Sequence, residues 1–498
     1  MSETNNTKQA AWVAIGSFFS FAVGIISPMI LSRFFDKGDY GTYKQVMYVY
    51  STLLTVFTLG LPKAYAYFLP KYGREYSKDI INKITSMFIV LGAAFSIVLF
   101  TCSGVISRIL NNDDLVIALK IFAPTPLFLL PTIGLEGIYA SFRKTQYLTI
   151  YTIVTRILTV ACIVLPVVAL NGNYVHALIG FDVASLITCV IALLMKNLPV
   201  RKEAHKRSNL TIRQILQFSL PLLYASIWGI ILSSANQFFI SRYFGNEVFA
   251  EFSNGFMEIP FATMVLGAVM TVLLPRFSEM EDGSRMNDEV YNLWQSALEK
   301  SAKIIFPILV FSVVFARLVM TCMYGDAYSS STIYFMIKNL SSLLYIVPFA
   351  PIMLAIGKTK EYANAHMVAA LLIVVLEFIS VKTINSPIAI AIVSEICQAL
   401  KIYLMMRVIS HYAGRTILEM LPLKSLGKIL LICFLAAGVT YVLSLFIAVN
   451  KWILALICVT VFCIVYYALC WLSKTSYRAI ALGFLPSLGN KSLINYIP

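Results

Sequence analysis

The stretch Ile30–Tyr43, ILSRFFDKGDYGTY, decides the fold, because a related stretch, FISRYFGNEVFAEF, follows at Phe239–Phe252. The pairs that are identical at one constant offset are Ser32/Ser241, Arg33/Arg242 and Phe35/Phe244. Each copy lies between two long apolar runs, so each is typical of one helix ending, a short break and a second helix beginning. A helix–break–helix unit that occurs twice predicts a membrane protein built from two related halves.

The composition is that of a membrane protein. Hydrophobic residues make up 59% of the 498 residues and charged residues only 13%, whereas soluble domains are about half apolar and a quarter charged. A bilayer core is crossed by helices of about 20 apolar residues whose backbone groups are satisfied internally. We therefore predict an all-α polytopic membrane protein.

About fourteen apolar runs are long enough to cross a bilayer. Turn residues separate many of them, such as the Asn-Gly-Asn of residues 171–173. The predicted spans lie at roughly 12–33, 43–61, 86–108, 117–139, 148–170, 174–195, 217–241, 254–274, 303–324, 332–356, 363–383, 388–408, 427–447 and 451–472.

The duplication extends through the first twelve spans. A Leu-Pro-basic sequence ends both Tyr67–Lys71 and Val272–Arg276, and a Lys-Thr turn begins at Lys144 and again at Lys358. An even number of spans separates equivalent positions, so the two six-helix repeats are parallel. We predict an N-terminal six-helix lobe, a C-terminal six-helix lobe, and two further helices with a cytoplasmic tail, at 1–200, 214–412 and 421–498.

Basic residues predict the orientation. Most of the 39 Lys and Arg residues lie in the termini and in the loops after even-numbered spans, so both termini are expected in the cytoplasm. The net charge of +15 is then explained by contact with anionic membrane lipids, and no nucleic-acid partner is expected. The basic residues of the loop after span 6 are Lys196, Arg201, Lys202, Lys206, Arg207 and Arg213.

Cysteine and histidine give little support for a metal site. The nine cysteines are scattered through the spans without a CxxC motif, and the four histidines are far apart in the sequence. Cysteine at such positions is typical of small apolar packing residues. We expect no metal and no resident cofactor.

Three of these segments resemble a known family: Ile30–Tyr43, Thr58–Pro70 and Gly357–Lys360 are similar to the polysaccharide-transporter branch of the multidrug/oligosaccharidyl-lipid/polysaccharide exporter superfamily. That branch includes Wzx-type oligosaccharide flippases. The resemblance covers spans 1 to 12, and fourteen spans also occur in MurJ-like flippases. It implies a MATE/MurJ-like fold in which two six-helix lobes surround a central cavity.

The resemblance also implies a function. The expected activity is translocation of an undecaprenyl-diphosphate-linked oligosaccharide across the bacterial cytoplasmic (inner) membrane by alternating access. The product would be capsule, O-antigen or a related surface polysaccharide. Implied partners are the lipid-linked oligosaccharide, membrane lipids, a polysaccharide polymerase and glycosyltransferases.

Other functions stay open beside this one. A MurJ-like lipid II flippase and a MATE-type cation-coupled drug exporter share the two-lobed architecture, although a basic cavity repels cationic drugs. A membrane-embedded glycosyltransferase would need catalytic carboxylates or a metal-diphosphate motif on a large loop. The chain has neither a long loop nor a DxD motif, so an enzyme is not expected.

Cations within or at the ends of the spans are candidates for binding a diphosphate, because a charge at mid-bilayer costs about 2.5–3.5 kcal/mol and both Arg and Lys bind phosphate oxygens. The substrate-binding candidates are Arg33, Lys44, Lys63, Arg156 and Arg242. Arg156, about two turns inside span 5, is the first candidate for a buried cavity cation. Arg33 and Arg242 line the cavity mouth or else stay at the membrane interface, and Lys63 contacts substrate or else marks the end of span 2.

Polar and acidic residues in the outer parts of three spans are candidates for ion coupling. Asn236, Glu377 and Glu395 offer oxygen ligands for Na⁺, and neighbouring carboxylates also suit H⁺ exchange. The alternative is that the carboxylates form structural ion pairs. The partners available for that are Arg317, Lys338 and Lys401.

Overall fold

The computed structural model describes residues 3–203, 206–259, 262, 264–267, 273, 277, 286, 288–347, 349–473 and 475. No strand occurs among these residues, so the all-α prediction is confirmed for them. In chain order the helices are α1 (Glu3–Phe34), α2 (Lys37–Phe57), α3 (Pro62–Lys71), α4 (Ser77–Leu110), α5 (Asp114–Phe122), α6 (Thr125–Ser141), α7 (Thr145–Leu170), α8 (Tyr174–Met195), α9 (Ile212–Gly255), α10 (Asp288–Val314), α11 (Ala316–Tyr324), α12 (Ser331–Ser341), α13 (Phe349–Ala355), α14 (Thr359–Thr383), α15 (Pro387–Ala413), α16 (Ile417–Met420), α17 (Leu423–Ser444) and α18 (Lys451–Leu472).

Many of these helices can cross a membrane. Eight helical segments of the described chain are long and apolar enough, and the number rises to 11 if each of three bent pairs is one span. The protein is therefore a multi-pass membrane protein, as predicted. The count of fourteen spans stays a prediction, because nine of the 21 residues of predicted span 8 (254–274), and all of 272–276 but Leu273, lie outside the described residues.

Several predicted spans are bent rather than straight. Predicted span 4 consists of α5 and α6, which meet at 49° where Pro124 removes a helical N–H donor. Predicted span 9 consists of α10 and α11, which meet at 79° next to Phe315. Hydropathy alone located these spans but carried no signal for the bends.

The chain forms two compact units. Unit 1 contains Met1–Ser253 and Val381–Pro387, and unit 2 contains Asn254–Ser380 and Ile388–Pro498. This division follows contacts and does not test the lobe boundaries predicted from the duplication, which stay a prediction. Unit 1 therefore includes nearly all of α9, the first helix of the second repeat.

Close helix packing in unit 1 depends on small residues. A Cβ at Gly180 on α8 would collide with the backbone carbonyl of Cys162 on α7, so only glycine permits this approach. Tyr65 of α3 is fully buried in contact with Gly134 of α6, and its hydroxyl lies 2.9 Å from Thr85 Oγ1 of α4. Such contacts give the side chains of unit 1 defined positions.

In unit 2 the short helix α16 is packed against the beginning of α10. The indole N–H of the fully buried Trp294 donates to the carbonyl of Met420 at 2.8 Å. A capping box joins Thr416 and Glu419 at the start of α16. Hydrogen bonds from Thr416 lower the pKa of the exposed Glu419 carboxyl.

Candidate functional site

Both copies of the repeated motif form a helix, a break and a second helix. In the first copy α1 ends at Phe34, and Asp36 caps α2 by accepting a hydrogen bond from the Asp39 amide at 2.7 Å. In the second copy Gly245 stands at the position of Asp36 and interrupts α9 with φ 85° and ψ 176°. Glycine adopts this positive φ without steric cost. The predicted duplication of a local structure is thus visible in the backbone.

The two copies contact each other through matching pairs of side chains, which we call the repeat junction (residues 37–48 and 234–251). Lys37 Nζ lies 2.5 Å from Glu251 Oε1, and Asn246 Nδ2 lies 3.5 Å from Thr42 Oγ1. At the offset of the repeat, Asn246 is the counterpart of Lys37 and Glu251 is the counterpart of Thr42. The two contacts are therefore equivalent, as expected for two copies related by a pseudo-two-fold axis.

A buried polar network extends the repeat junction. Gln45 is fully buried; its Nε2 donates to Ser241 Oγ at 2.8 Å and its Oε1 accepts from Asn112 Nδ2 at 2.5 Å. The Tyr48 hydroxyl donates to the carbonyl of Ser234 at 3.2 Å. These bonds connect α2 with α9 and with the turn between α4 and α5.

The paired arginines of the motif have different surroundings. Arg242 is half-buried and its guanidinium donates to the carbonyl of Arg108 in the last turn of α4. A cation at this position satisfies a free carbonyl of a helix C-terminus. Arg33 is exposed in the last turn of α1. The geometry of Arg242 favours the interfacial alternative, and the cavity role of both arginines stays a prediction.

A polar cavity in unit 1 contains the deepest predicted cation. This cavity, of about 410 Å³, is lined by α1, α6 and α7, and we call it the α1–α6–α7 cavity. Arg156 lines it and lies eleven residues along α7, roughly 17 Å from the helix start. Its side chain is exposed, whereas the sequence predicted a buried cation. Hydroxyl groups of Ser17, Ser20 and Thr152 belong to the same lining.

Glu136 of α6 also lines this cavity and was not among the residues predicted for the site. Its side chain is exposed and lines the same cavity as Arg156. The described residues contain no ion pair between Glu136 and Arg156. Thr132, one helical turn earlier on α6, lines the cavity too. That i, i+4 spacing of polar residues was the signal that could have identified Glu136.

The remaining predicted cations do not line the α1–α6–α7 cavity. Lys44 is half-buried on α2, with Nζ 5.4 Å from the centroid of the Tyr40 ring, one turn earlier. This is a cation–π contact. Lys63 is exposed at the second residue of α3. Among the described residues, the five predicted cations are therefore spread over unit 1 and do not form one cluster.

Unit 2 contains a buried ion pair between α12 and α15. Lys338 Nζ lies 3.1 Å from Glu395 Oε1, and both side chains are less than 10% exposed, at 8% and 6%. Lys338 Nζ also lies 3.2 Å from Glu258 Oε1, whose side chain is 53% exposed. The Ser341 hydroxyl donates to Glu395 Oε2. This geometry is the structural pairing that was the alternative to ion coupling for Glu395.

Aromatic rings surround the same charges. Lys338 Nζ lies 5.1 Å from the Phe256 ring centroid and 5.8 Å from that of Tyr345. Lys401 Nζ lies 5.7 Å from the Tyr345 centroid and donates to Gln398 Oε1 at 2.6 Å. The rings exclude water from the cations and face them with negative π density.

Glu377 is a fully buried carboxyl group on α14. Neither of its carboxyl oxygens has a hydrogen-bond partner among the described residues. Burial of an isolated carboxylate costs several kcal/mol, so this group is a candidate for binding a cation. Asn236 is buried on α9 in unit 1. No group of three or more His, Cys, Asp or Glu suited to a metal occurs in the described part of the chain.

An apolar groove lies beside the ion pair in unit 2. It has a volume of about 930 Å³ and is lined mainly by Leu, Ile and Val of α12, α15 and α17. Glu395 and Ser341 form the polar part of its wall, and Gly427 of α17 lines it from another side. The groove can therefore take up a long apolar chain next to a buried carboxylate.

The many helices that can cross a bilayer define a polytopic membrane protein. The chain belongs to the family of polysaccharide biosynthesis proteins, since the family model described as "Polysaccharide biosynthesis protein" matches residues 7–281. A search of curated proteins finds no match.

Solved structures share this fold at low sequence identity. The chain is similar to the lipid II flippase MurJ in an inward closed conformation, with a TM-score of 0.70, 16% identity, and coverage of 92% of this chain and 98% of that chain. A MOP superfamily transporter from Pyrococcus furiosus has a TM-score of 0.55 and 14% identity over 83% of this chain and 96% of that one. An inward-facing multidrug resistance MATE family transporter has a TM-score of 0.55 and 12% identity over 82% and 99%.

These comparisons confirm the predicted superfamily and the MATE/MurJ-like fold. The protein is thus a membrane protein of the polysaccharide biosynthesis family, with the fold of the MurJ and MATE transporters.

Proposed function

We propose that this protein is a flippase for undecaprenyl-diphosphate-linked oligosaccharides that become capsule, O-antigen or a related surface polysaccharide. The observation that carries the proposal is the exposed Arg156 deep within α7, in a member of the polysaccharide biosynthesis family. A cation at that depth is expensive to keep unless it serves an anionic ligand. The protein would act by alternating access in the bacterial inner membrane, with both termini in the cytoplasm.

The α1–α6–α7 cavity would bind the headgroup. The guanidinium of Arg156 would donate to oxygens of the diphosphate in bidentate fashion. Hydroxyl groups of Ser17, Ser20 and Thr152 would donate to and accept from the sugars. Arg33, Lys44, Lys63 and Arg242 would add positive charge along the path of the headgroup. The contact of Arg242 with Arg108 is a reason to test that residue separately.

The apolar groove of unit 2 would hold part of the polyprenyl chain. Its wall is nearly all aliphatic, and burial of apolar surface contributes about 25 cal/mol per Å². The chain then needs no polar partner in the groove. Such an arrangement would let the tail stay in an apolar environment while the headgroup crosses the membrane.

Glu377 is the best candidate for coupling transport to Na⁺ or H⁺. Its carboxyl group is buried and has no hydrogen-bond partner in the described part of the chain, which is typical of a group that takes up and releases a cation. Glu395 already has Lys338 and Ser341 as partners, so it would take part only when that pair separates. Asn236 stays a predicted ligand of the coupling ion, since an amide oxygen suits Na⁺.

A lipid II flippase is the second candidate function, supported by the TM-score of 0.70 with MurJ. Both substrates carry a polyprenyl diphosphate, so the same cation and groove would serve either. A MATE-type cation-coupled drug exporter is disfavoured by the accessible guanidinium of Arg156, which repels cationic drugs. The proposed partners are membrane lipids, and the polymerase and glycosyltransferases that handle the same lipid-linked glycan.

Deletion of the gene in its own host tests the proposal. We expect surface polysaccharide to disappear while lipid-linked repeat units accumulate on the cytoplasmic side. Accumulation of lipid II and lysis instead would support the second candidate. Unchanged surface glycan together with normal growth and no accumulated lipid II, in a strain with no redundant flippase, would refute both.

A further inference from the structure

A second charged cavity lies in unit 2, at the end of α14 and α15 that is predicted to be cytoplasmic. It has a volume of about 1120 Å³ and is lined by α14, α15 and the residues that flank them. Lys358 borders this cavity. It belongs to the Gly357–Lys360 turn, whose Lys-Thr pair also occurs in the first half of the chain, at Lys144. The proposed transport of a glycolipid makes no use of this cavity.

The outer part of the cavity is basic. Arg407 and His411 line it one helical turn apart on α15, so their side chains lie on the same face. The described residues offer the exposed guanidinium of Arg407 no ion pair or hydrogen bond. Lys358 Nζ lies 4.0 Å from Glu361 Oε1, which is a long distance for an ion pair. The cavity therefore has uncompensated positive charge.

A third basic residue of the cavity already has partners. Arg415 Nη2 lies 2.7 Å from Asp288 Oδ1, and its guanidinium carbon lies 3.8 Å from the centroid of the Tyr291 ring. Arg415 is thus held in position by groups outside the cavity lining. It can add to the electrostatic potential of the cavity without being the main donor to a ligand.

The inner part of the cavity is apolar. Ala365 and Val368 of α14 and Leu404 of α15 line it, and Val368 and Leu404 are each about 14 Å from the charged ends of their helices. A ligand that fits both parts has an anionic group joined to an apolar chain. Free phosphate would occupy only the basic part.

We propose that this cavity binds an anionic phospholipid, with its phosphate at Arg407 and His411 and an acyl chain along Val368 and Leu404. Arg407, near the end of α15, can contact the anionic headgroup, and the apolar inner wall can contact the acyl chain. Arginines that merely reach the interface also attract anionic headgroups, but they offer no apolar wall for an acyl chain. The site is separate from the α1–α6–α7 cavity and does not depend on the transport substrate.

The test uses the purified full-length protein in a neutral detergent. Phosphatidylglycerol, phosphatidylcholine with the same acyl chains, and inorganic diphosphate are titrated separately, and bound lipid is counted by native mass spectrometry. Wild type is compared with Arg407→Gln, His411→Gln and the double variant. Arg213→Gln, which changes an exposed arginine at the start of α9, is the matched control.

We expect phosphatidylglycerol to bind wild type and the Arg213→Gln control, and to bind the double variant at least about tenfold more weakly, since a charge-assisted contact is lost. We expect phosphatidylcholine to bind weakly to every variant. Equal phosphatidylglycerol binding by wild type and the double variant would overturn the proposal. Diphosphate that competes fully with the lipid would overturn the role of the acyl chain. Because the readout is binding, failure here would leave the proposed flippase activity untouched.

Discussion

The buried pair of Lys338 and Glu395 allows a sharp prediction about stability. Replacing Lys338 with Met leaves the Glu395 carboxylate, 6% exposed, with a hydrogen bond from the Ser341 hydroxyl but without its cation. Removal of one partner of a buried ion pair costs about 3–5 kcal/mol, because the other charge stays desolvated. We expect Lys338→Met to lower the melting temperature more than any other single change at this site.

Replacing Glu395 should lower the stability less than replacing Lys338, because Lys338 has a second carboxylate partner. When Glu395 is replaced by Leu, Lys338 keeps Glu258 at 3.2 Å, and the Glu258 side chain is 53% exposed. Replacing both members by apolar residues is often neutral or stabilising. We therefore expect wild type and the Lys338→Met, Glu395→Leu double variant to be the most stable, Glu395→Leu to be intermediate, and Lys338→Met to be the least stable.

Thermal unfolding of the purified variants in one detergent, followed by tryptophan fluorescence, measures this order. A double-variant analysis then separates the interaction between the two residues from their individual effects. If Lys338→Met melted at the wild-type temperature, the pair would not be buried in the membrane protein as described. If the double variant melted no higher than Lys338→Met, loss of packing rather than an unpaired charge would be the cause.

Three further predictions concern the repeat junction and the proposed site. Gly41→Ala should lower the melting temperature, because a Cβ there collides with the Asn246 carbonyl. Gly104→Ala is the control and should leave the melting temperature unchanged, because no atom lies within 4 Å of a Cβ there. Equal effects of the two changes would contradict the described packing. Arg156→Gln should reduce flipping of a polyprenyl-diphosphate glycan at least about tenfold in proteoliposomes, with partial rescue by Arg156→Lys; full activity of Arg156→Gln would remove this residue from the site. Glu377→Gln should fold normally but abolish the dependence of transport on Na⁺ or pH, and an unchanged dependence would refute its coupling role.

Much of the architecture followed from local features of the sequence. Apolar runs about as long as a bilayer predicted the helices, and the basic loops predicted their orientation. The turn chemistry of Asp36 and Gly245 marked the breaks in the two copies of the motif. These features depend on neighbouring residues in the chain and on the bilayer, so they can be recognised without knowledge of packing.

The candidate site was predicted only in part. Sequence reasoning singled out Arg156 from its depth in a span, but it did not place Glu136 in the same cavity. It offered Arg317, Lys338 and Lys401 as partners for the buried carboxylates, and packing selected Lys338 for Glu395. A charge inside a span is visible in the sequence because it interrupts an apolar run. The partner of that charge cannot be read from the sequence, because it depends on which faces of distant helices pack together.

The amino-acid sequence by itself predicted a duplicated, all-helical membrane protein, because hydrophobicity and repeated turns are properties of short segments. Only the tertiary structure decided that Lys37 forms an ion pair with Glu251. It also decided that the repeat counterparts of these residues, Asn246 and Thr42, form a hydrogen bond. It likewise decided that Glu377 is buried where no described residue forms a hydrogen bond with its carboxyl group. The physical reason is that such contacts join residues far apart in the chain, and their geometry is set by close packing between helices rather than by any local preference.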